Sequence, residues 1–343
     1  MCLFCFSIIF DFSFLISRFF VDTRHTMKWI VDTDAGVDDA IAIAMPFATQ
    51  TDQSNPSIYK SFELAAITCV AGNVILDKVL VNVGALLELL ELPQVPFYKG
   101  CDRPMVITHA HAEEFHGADG LGDGGLSITQ CVPEAEHAAQ AIVRLAKQHE
   151  GDLSILALGP LTNIALACNL DPQLPRRLKQ LVIMGGAWQA RGNQSPTAEF
   201  NFAIDPESAH MVFERFDQPN AITLLPWEVS IDQLWPFERI ATLAARNTRR
   251  GDFLGRMCGK IVPKLRDMFR HEGFPAPDPL TMSVALDPSV IATEVLAKVS
   301  IDISNGVGRG MSALQRRRAT LNTRVVTSVH AERAFALIEA GWM

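Results

Sequence analysis

Four carboxylates lie within eight positions in the segment Val31-Asp32-Thr33-Asp34-Ala35-Gly36-Val37-Asp38-Asp39-Ala40. The apolar run Trp29-Ile30-Val31 comes before them, and the run Ala40-Ile41-Ala42-Ile43-Ala44-Met45 comes after them. This pattern predicts a buried strand, an acidic turn and a buried helix. Carboxylates packed at the end of a buried strand repel one another and lose hydration, so the turn needs a positive partner. A hard divalent cation, which accepts several oxygen ligands, is the predicted partner.

This acidic turn has three other interpretations: helix capping, an EF-hand loop and a phosphatase site. Asp is a favoured helix N-cap, and acidic residues in a first turn stabilise the helix dipole, but capping accounts for only one or two of the four. An EF-hand loop counted from Asp32 would need Gly at its sixth position and Glu at its twelfth, where this chain has Val37 and Ile43. A magnesium-dependent phosphatase that uses Asp32 and Asp34 as nucleophile and acid is a further hypothesis, and it leaves Asp38 and Asp39 unexplained.

The composition of the whole chain limits its function classes. The chain has 343 residues, of which 48% are hydrophobic, so it can form one large core. Its net charge of -8 argues against a nucleic-acid partner. The seven cysteines are scattered and odd in number, which is typical of free thiols in a reducing, cytoplasmic location. We expect no membrane partner, and a chain this apolar is compatible with a homodimer or homotetramer.

The first 26 residues differ from the rest of the chain. Residues 1–20 are strongly apolar but contain Asp11 and Arg18. A secretory signal would begin with positive charge and end at a small-residue cleavage site, and a membrane anchor would not carry Asp11 at its centre. A translation start at Met27, directly before the first strand, is the favoured interpretation. We therefore predict that residues 1–26 are an extension outside the fold and that residues 27–343 form one domain.

Strands and helices alternate along most of the sequence. This alternation predicts a single α/β domain with a mainly parallel central sheet flanked by helices and a Rossmann-like core. Ligands of such sheets bind beyond the carboxyl ends of the strands. The acidic turn, Asn73, residues 159–163 and residues 185–201 each follow a predicted strand, so they should converge on one site. We also predict helices over 134–148 and 252–271, and two strands in the tail, over 295–303 and 318–329.

Four motifs together resemble the inosine-uridine nucleoside hydrolase family. They are, in order, the acidic turn, Ala71-Gly72-Asn73, Leu158-Gly159-Pro160-Leu161-Thr162-Asn163 and Ala198-Glu199-Phe200-Asn201. The resemblance extends from Lys28 to the C-terminus. It implies a nucleoside hydrolase-like fold and hydrolysis of the N-glycosidic bond of ribonucleosides, with a tightly held Ca²⁺ as cofactor. Read from the residues alone, Asn73 and Asn163 could simply cap or turn the chain.

The resemblance also implies a role for each site residue. Ca²⁺ would be held by the carboxylates of Asp34, Asp39 and Asp278 and the backbone carbonyl of Leu158. Asp34 would also act as general base for the calcium-bound water, with Asn73 near the water and the ribose. The ribose hydroxyls would be bound by Asp38, Asn193, Glu199 and Asn201. Paired polar groups of this kind should select against deoxyribose.

The chain departs from the family pattern at one position. The family often has His before the aspartate that corresponds to Asp278, and that His is associated with protonating the departing base, whereas this chain has Pro277. His116 resembles a family loop His near the base and could assist, and Trp188 or Trp227 could stack on a purine. His271 is placed by the sequence on the preceding helix. The alternative hypothesis is a riboside-binding member of the family with weak or no catalysis.

Overall fold

The computed structural model describes residues 27–48, 62–107, 112–125, 130–267, 270–317 and 321–343. A nine-stranded sheet lies at its centre, in the order β10-β9-β11-β6-β5-β4-β1-β2-β3. These strands are β1 Met27–Thr33, β2 Phe62–Cys69, β3 Phe97–Lys99, β4 Leu153–Ala157, β5 Gln180–Met184, β6 Ile222–Leu225, β9 Ile291–Ile301, β10 Ser312–Gln315 and β11 Thr323–Val329. A separate pair consists of β7 Trp235–Pro236 and β8 Gly273–Phe274, which are antiparallel.

The pairing of the strands confirms the predicted α/β class. Parallel pairing joins seven neighbouring strands, from β3 at one edge through β1 to β11. Only β9 and β10 run antiparallel to their neighbours among the described strands of this sheet. Strands from the beginning and the end of the chain share the sheet, so the described residues form one domain.

Helices cover both faces of the sheet. They are α1 Val37–Ala44, α2 Leu76–Leu89, α3 Glu113–His116, α4 Ala138–Gln148, α5 Thr162–Leu170, α6 Leu174–Arg177, α7 Phe200–Ile204, α8 Pro206–Arg215, α9 Trp227–Asp232, α10 Phe237–Ala244, α11 Arg249–Asp267, α12 Pro277–Leu286 and α13 Ala331–Ala340. Side chains of β1 alternate between two apolar clusters: Trp29 and Val31 belong to the cluster with α1 and α12, and Ile30 to the cluster with α4 and α5. This alternation explains why both faces are buried.

Several predicted boundaries are wrong. The helix predicted over 134–148 begins only at Ala138, because His137 is its N-cap and accepts a hydrogen bond from the Ala139 backbone N–H. The tail has three strands rather than two, since β10 pairs with the long strand β9. His271 is not helical, because α11 ends at Asp267.

The N-terminal prediction lies outside the described residues, so the division into an extension over 1–26 and a domain over 27–343 stays a prediction. Within the described ranges, none of the helices is both long enough and apolar enough to cross a membrane. The homodimer or homotetramer and the cytoplasmic location also stay predictions.

Candidate metal and substrate site

The acidic turn is shaped by its own side chains. Ala35 adopts a left-handed conformation (φ 48°), and its backbone N–H donates to Thr33 Oγ1 at 3.0 Å. The Gly36 backbone N–H donates to Asp39 Oδ2 at 2.9 Å, and the Thr33 hydroxyl donates to Asp39 Oδ1. These bonds fold the chain sharply from β1 into α1. As a result, the carboxylates after β1 turn inward at the carboxyl end of the sheet.

Four carboxylates meet at this point, those of Asp34, Asp38, Asp39 and Asp278. All of them are buried except Asp38, which is half-buried. Asp38, Asp39 and Asp278 each contribute an oxygen atom, and these atoms lie within 4.8 Å of one another. Asp34 lies beside Asp39, and its two oxygens accept the backbone N–H of Asn73 at 2.8 Å and the Asn73 amide at 3.1 Å. The same amide reaches Asp39 Oδ2 at 3.4 Å. The fold therefore brings Asp278, near the end of the chain, to the acidic turn near its beginning.

The electrostatics of this cluster favour a bound cation. Burial, followed by the charge of Asp39, raises the pKa of Asp38 to about 8 and the pKa of Asp34 well above its usual value. Burial also raises the pKa of Asp278, and the carboxylates of Asp38, Asp39 and Asp34 raise it further. Among the described residues, no Lys or Arg side chain forms an ion pair with any of the four. One buried oxygen of the cluster, Asp38 Oδ1, has no hydrogen-bond partner among the described residues. A hard divalent cation fits this donor set, because it would neutralise several oxygens at once.

Asp32 has a different environment from the other residues of the turn. Its Oδ1 accepts hydrogen bonds from Thr68 Oγ1 at 2.5 Å and from Asn163 Nδ2 at 2.8 Å, and burial raises its pKa to about 7. Asn163 also donates to the Cys69 carbonyl and accepts the Cys101 backbone N–H. Asn163 therefore joins β1, β2 and the segment after β3, which is more than a local turn or cap. This arrangement leaves Asp32 outside the group of clustered oxygens.

A cavity of about 590 Å³ opens onto the carboxylates. Predicted site residues supply much of its polar lining, namely Asp38, Asn73, His116, Leu158, Asn193, Glu199, Asn201 and Asp278. The apolar part of its lining includes Phe115, Met184, Phe200, Trp227, Ile231, Leu265, Pro275 and Pro277. Trp227 is thus a wall residue, whereas the Trp188 ring lies under the Arg316 guanidinium, with 5.9 Å between the Arg316 Cζ and the ring centroid. Apart from Trp227 and Pro277, these apolar residues were not predicted.

Glu199 and Asn201 lie at the start of the short helix α7. Glu199 is the N-cap of α7, and its carboxylate accepts the backbone N–H groups of Asn201 at 2.7 Å and Phe202 at 3.2 Å. The same carboxylate accepts the Gly186 N–H at 2.7 Å, and burial raises its pKa to about 7. The Asn201 amide donates to the Leu158 carbonyl at 2.7 Å, next to the carboxylates.

His116 lies at the end of α3, and its side chain is buried. Its Nδ1 accepts the Val37 backbone N–H at 3.2 Å and lies 3.9 Å from Asp38 Oδ1. Burial lowers the pKa of His116 to about 3, so the ring is neutral at physiological pH, with its proton on Nε2. Pro277 is the first residue of α12 and lines the cavity, as does His271.

Comparison with known proteins identifies the family. Residues 29–336 match the family model described as inosine-uridine preferring nucleoside hydrolase. The protein of that description from Leishmania major is 32% identical over 300 residues, which cover 84% of this chain and 88% of that protein. The pyrimidine-specific ribonucleoside hydrolase RihB of Escherichia coli (strain SE11) is 30% identical over 321 residues, 91% of this chain and 96% of that protein.

The fold comparison agrees with the sequence comparison. A solved plant nucleoside hydrolase, the PpNRh1 enzyme, matches with a TM-score of 0.83 and 26% identity, over 92% of this chain and 99% of that one. The predicted resemblance and the predicted fold are therefore confirmed. The chain belongs to the inosine-uridine preferring nucleoside hydrolase family, whose members are hydrolases of N-glycosyl compounds.

Proposed function

We propose that this protein hydrolyses the N-glycosidic bond of ribonucleosides to free base and ribose, with Ca²⁺ as its metal. The observation that carries the proposal is the group of four neighbouring carboxylates, Asp34, Asp38, Asp39 and Asp278, without a cationic partner among the described residues, beside a nucleoside-sized cavity. Asp34, Asp39, Asp278 and the Leu158 carbonyl would hold the ion, and Asp38 adds a further carboxylate beside them. When bound, Ca²⁺ would lower the pKa of a water molecule and so make it a better nucleophile.

Asp34 is the proposed general base. Its carboxylate is fixed by two N–H groups of Asn73, which occupy one lone pair on each oxygen, so that a remaining lone pair would be available to a water molecule beside the ion. A carboxylate held in this way takes the proton of the water as the water attacks the sugar. Asn73 therefore orients the base and does not itself exchange a proton.

Part of the polar lining of the cavity is the proposed ribose subsite. Cleavage of the glycosidic bond develops positive charge on the sugar, which nearby carboxylates and amide oxygens stabilise. Asp38, Asn193, Glu199 and Asn201 line the cavity and supply such oxygens. Because these groups lie in a cavity, a deoxyribose would leave some of them without a partner, and we expect selection for ribose.

The leaving base would lie against the apolar part of the cavity lining. Trp227 and Phe115 offer flat apolar surface there, and Pro277 has no proton to donate. His116 is the proposed base-site residue, and its neutral ring would donate a hydrogen bond from Nε2 to the departing base. The relatives named above include both an inosine-uridine preferring and a pyrimidine-specific enzyme, so similarity alone does not select the base.

The direct test is ribose release from inosine, adenosine, guanosine, uridine and cytidine, each with and without a calcium chelator. We expect release from at least one ribonucleoside, loss of release with chelator, and recovery when Ca²⁺ is added back. The relative rates would give the base preference. If the protein binds Ca²⁺ but releases no ribose from any of the five, the hydrolase proposal is wrong and the riboside-binding alternative is supported.

Calcium should stabilise the protein more at alkaline pH than at acidic pH. Burial raises the pKa of Asp38 to about 8 and the pKa values of Asp32 and Glu199 to about 7, above their unfolded values. Between about pH 4 and pH 8 the metal-free folded state thus binds more protons than the unfolded state, so its free energy of unfolding falls as pH rises. Bound Ca²⁺ offsets this loss because it stabilises the ionised carboxylates.

This prediction is checked by melting temperatures at about pH 5.5 and about pH 8, with chelator and with Ca²⁺. His116 contributes in the opposite direction between about pH 3 and pH 6.5, because burial lowers its pKa to about 3, but its one proton is outnumbered by those of the three buried carboxylates. The salt-bridged Asp171 and Asp287 also contribute in the opposite direction, because their pKa values are lowered, but that contribution is lost only at more acidic pH. A chelated protein that melts at a higher temperature at the alkaline pH would contradict the prediction.

A further inference from the structure

Glu228 on α9 is a buried carboxylate that the proposed reaction does not use. Its side chain is fully buried, and Oε2 accepts the Trp188 backbone N–H at 3.0 Å. Oε1 accepts the backbone N–H groups of Gln189 at 2.8 Å and Arg191 at 3.2 Å. A buried carboxylate is tolerated only where such donors replace its hydration, and hydrogen bonds to a charged acceptor are stronger than neutral ones. Glu228 therefore holds three N–H groups of one short segment.

This segment contains a strained residue. Ala190 has a φ of 58°, a left-handed conformation that is unfavourable for a residue with a Cβ atom. Such a conformation persists only where the surrounding structure holds it in place. The two N–H groups on either side of Ala190 both point at Glu228 Oε1. Glu228 is thus the group that holds the strained turn.

The strained turn leads directly into residues that line the cavity. Arg191, Gly192, Asn193 and Gln194 all line the cavity, and Asn193 Oδ1 accepts the Phe200 backbone N–H at 2.8 Å. A displacement of the turn at Ala190 would therefore be passed along the chain to Asn193. There is no helix or strand between Ala190 and Asn193.

Helix α9 contacts the cavity and the turn with two different faces. Trp227 and Ile231, four positions apart, line the cavity. Glu228 and Asp232, also four positions apart, bind the turn, since Asp232 Oδ1 accepts Arg191 Nη1 at 2.9 Å. One short helix therefore supplies part of the apolar wall and also supports the segment that carries Asn193.

We infer that Glu228 is a positioning residue for the proposed ribose subsite, to which Asn193 belongs. It sets the conformation of segment 188–193 without touching the sugar, and it ties that segment to the helix that carries Trp227. The inference rests on the proposed function only in naming ribose as the ligand. Sugar affinity should therefore depend on Glu228, whereas calcium binding should not.

The test compares Glu228→Gln with Glu238→Gln, a matched change at an exposed glutamate of α10. Gln keeps the size of the side chain but turns an amide N–H₂ toward backbone N–H groups, so at least one buried donor loses its acceptor. We expect the Kd for D-ribose, measured by calorimetry on the calcium-loaded protein, to rise about tenfold in Glu228→Gln. KM for a nucleoside should rise similarly, while kcat and calcium affinity stay within about threefold of the control.

A ribose Kd in Glu228→Gln equal to that of Glu238→Gln would overturn the inference. Hydrogen exchange of the wild-type protein tests it without any variant: the amides of Trp188, Gln189 and Arg191 should exchange slowly, and more slowly with D-ribose bound. Exchange that ribose leaves unchanged, or a wild-type protein that binds no ribose, would also overturn it. If the wild type binds ribose but releases none from nucleosides, the proposed hydrolysis fails and the inference is judged on binding alone.

Discussion

Asp34→Asn should lower kcat for the preferred ribonucleoside by roughly 10³-fold, within the range typical of a lost general base. Asn cannot accept the proton of the attacking water. Asn also replaces one carboxylate oxygen by an N–H₂ group. That group would face an N–H of Asn73, either the backbone N–H or the side-chain amide, and one of these two hydrogen bonds would be lost. Both effects act on the reacting water, so the loss should appear in kcat measured at saturating nucleoside and saturating Ca²⁺.

The control for this prediction is Asp217→Asn, which makes the same chemical change at an exposed position and should leave kcat unchanged. Calcium affinity must be measured in parallel, because Asp34 is also a proposed ligand. If Asp34→Asn binds Ca²⁺ and its kcat lies within about tenfold of the control, Asp34 is not the general base.

Gly72→Ala should lower kcat/KM by about 10²-fold, because a misplacement of about 1 Å in a catalytic group can have an effect of this size. A Cβ atom on Gly72 would overlap Asp34 Oδ2 and would lie 2.8 Å from Asp34 Cγ and 2.9 Å from Pro160 Cδ. The backbone of Gly72 is not in the left-handed region, so Ala is conformationally allowed there. The carboxylate of Asp34 must therefore move and give up its bonds to Asn73.

Gly259→Ala is the matched control for Gly72→Ala. Gly259 lies inside α11, and a Cβ atom there would meet nothing within 4 Å. Ala is favoured over Gly inside a helix by about 1 kcal/mol, so this variant should melt slightly higher and keep full activity. A Gly72→Ala enzyme with the kcat/KM of the Gly259→Ala enzyme would show that the position of Asp34 is not critical.

Local sequence signals predicted those parts of the fold in which neighbours along the chain decide the structure. The apolar run before the acidic turn and the small apolar residues after it form β1 and α1, as predicted. Asp205 directly precedes Pro206 in the sequence, a pattern typical of a helix N-cap, and its carboxylate does accept the Ser208 backbone N–H. The regular alternation of strands and helices was sufficient to predict the parallel sheet.

Other features depend on contacts between distant segments, which the sequence pattern does not contain. Nothing near Asn163 in the sequence indicates that it bonds to Asp32 and Cys101. The hydrogen bond from the Gly186 backbone N–H to Glu199 likewise joins two different segments of the chain. The wall residues Phe115, Ile231 and Leu265 look like ordinary core residues in the sequence, because packing and lining a cavity need the same side chains.

The clustered carboxylates also have a consequence for how the protein is made. Asp34, Asp38 and Asp39 leave the ribosome early, whereas Asp278 is synthesised only after most of the sheet. Helices α1 and α12, which carry Asp39 and Asp278, can pack against each other only after α12 has been synthesised. A nascent or truncated chain that lacks α12 would thus hold an incomplete set of the proposed ligands and gain little stability from Ca²⁺. If Ca²⁺ is the metal, as proposed, it should therefore stabilise only those chains that contain α12.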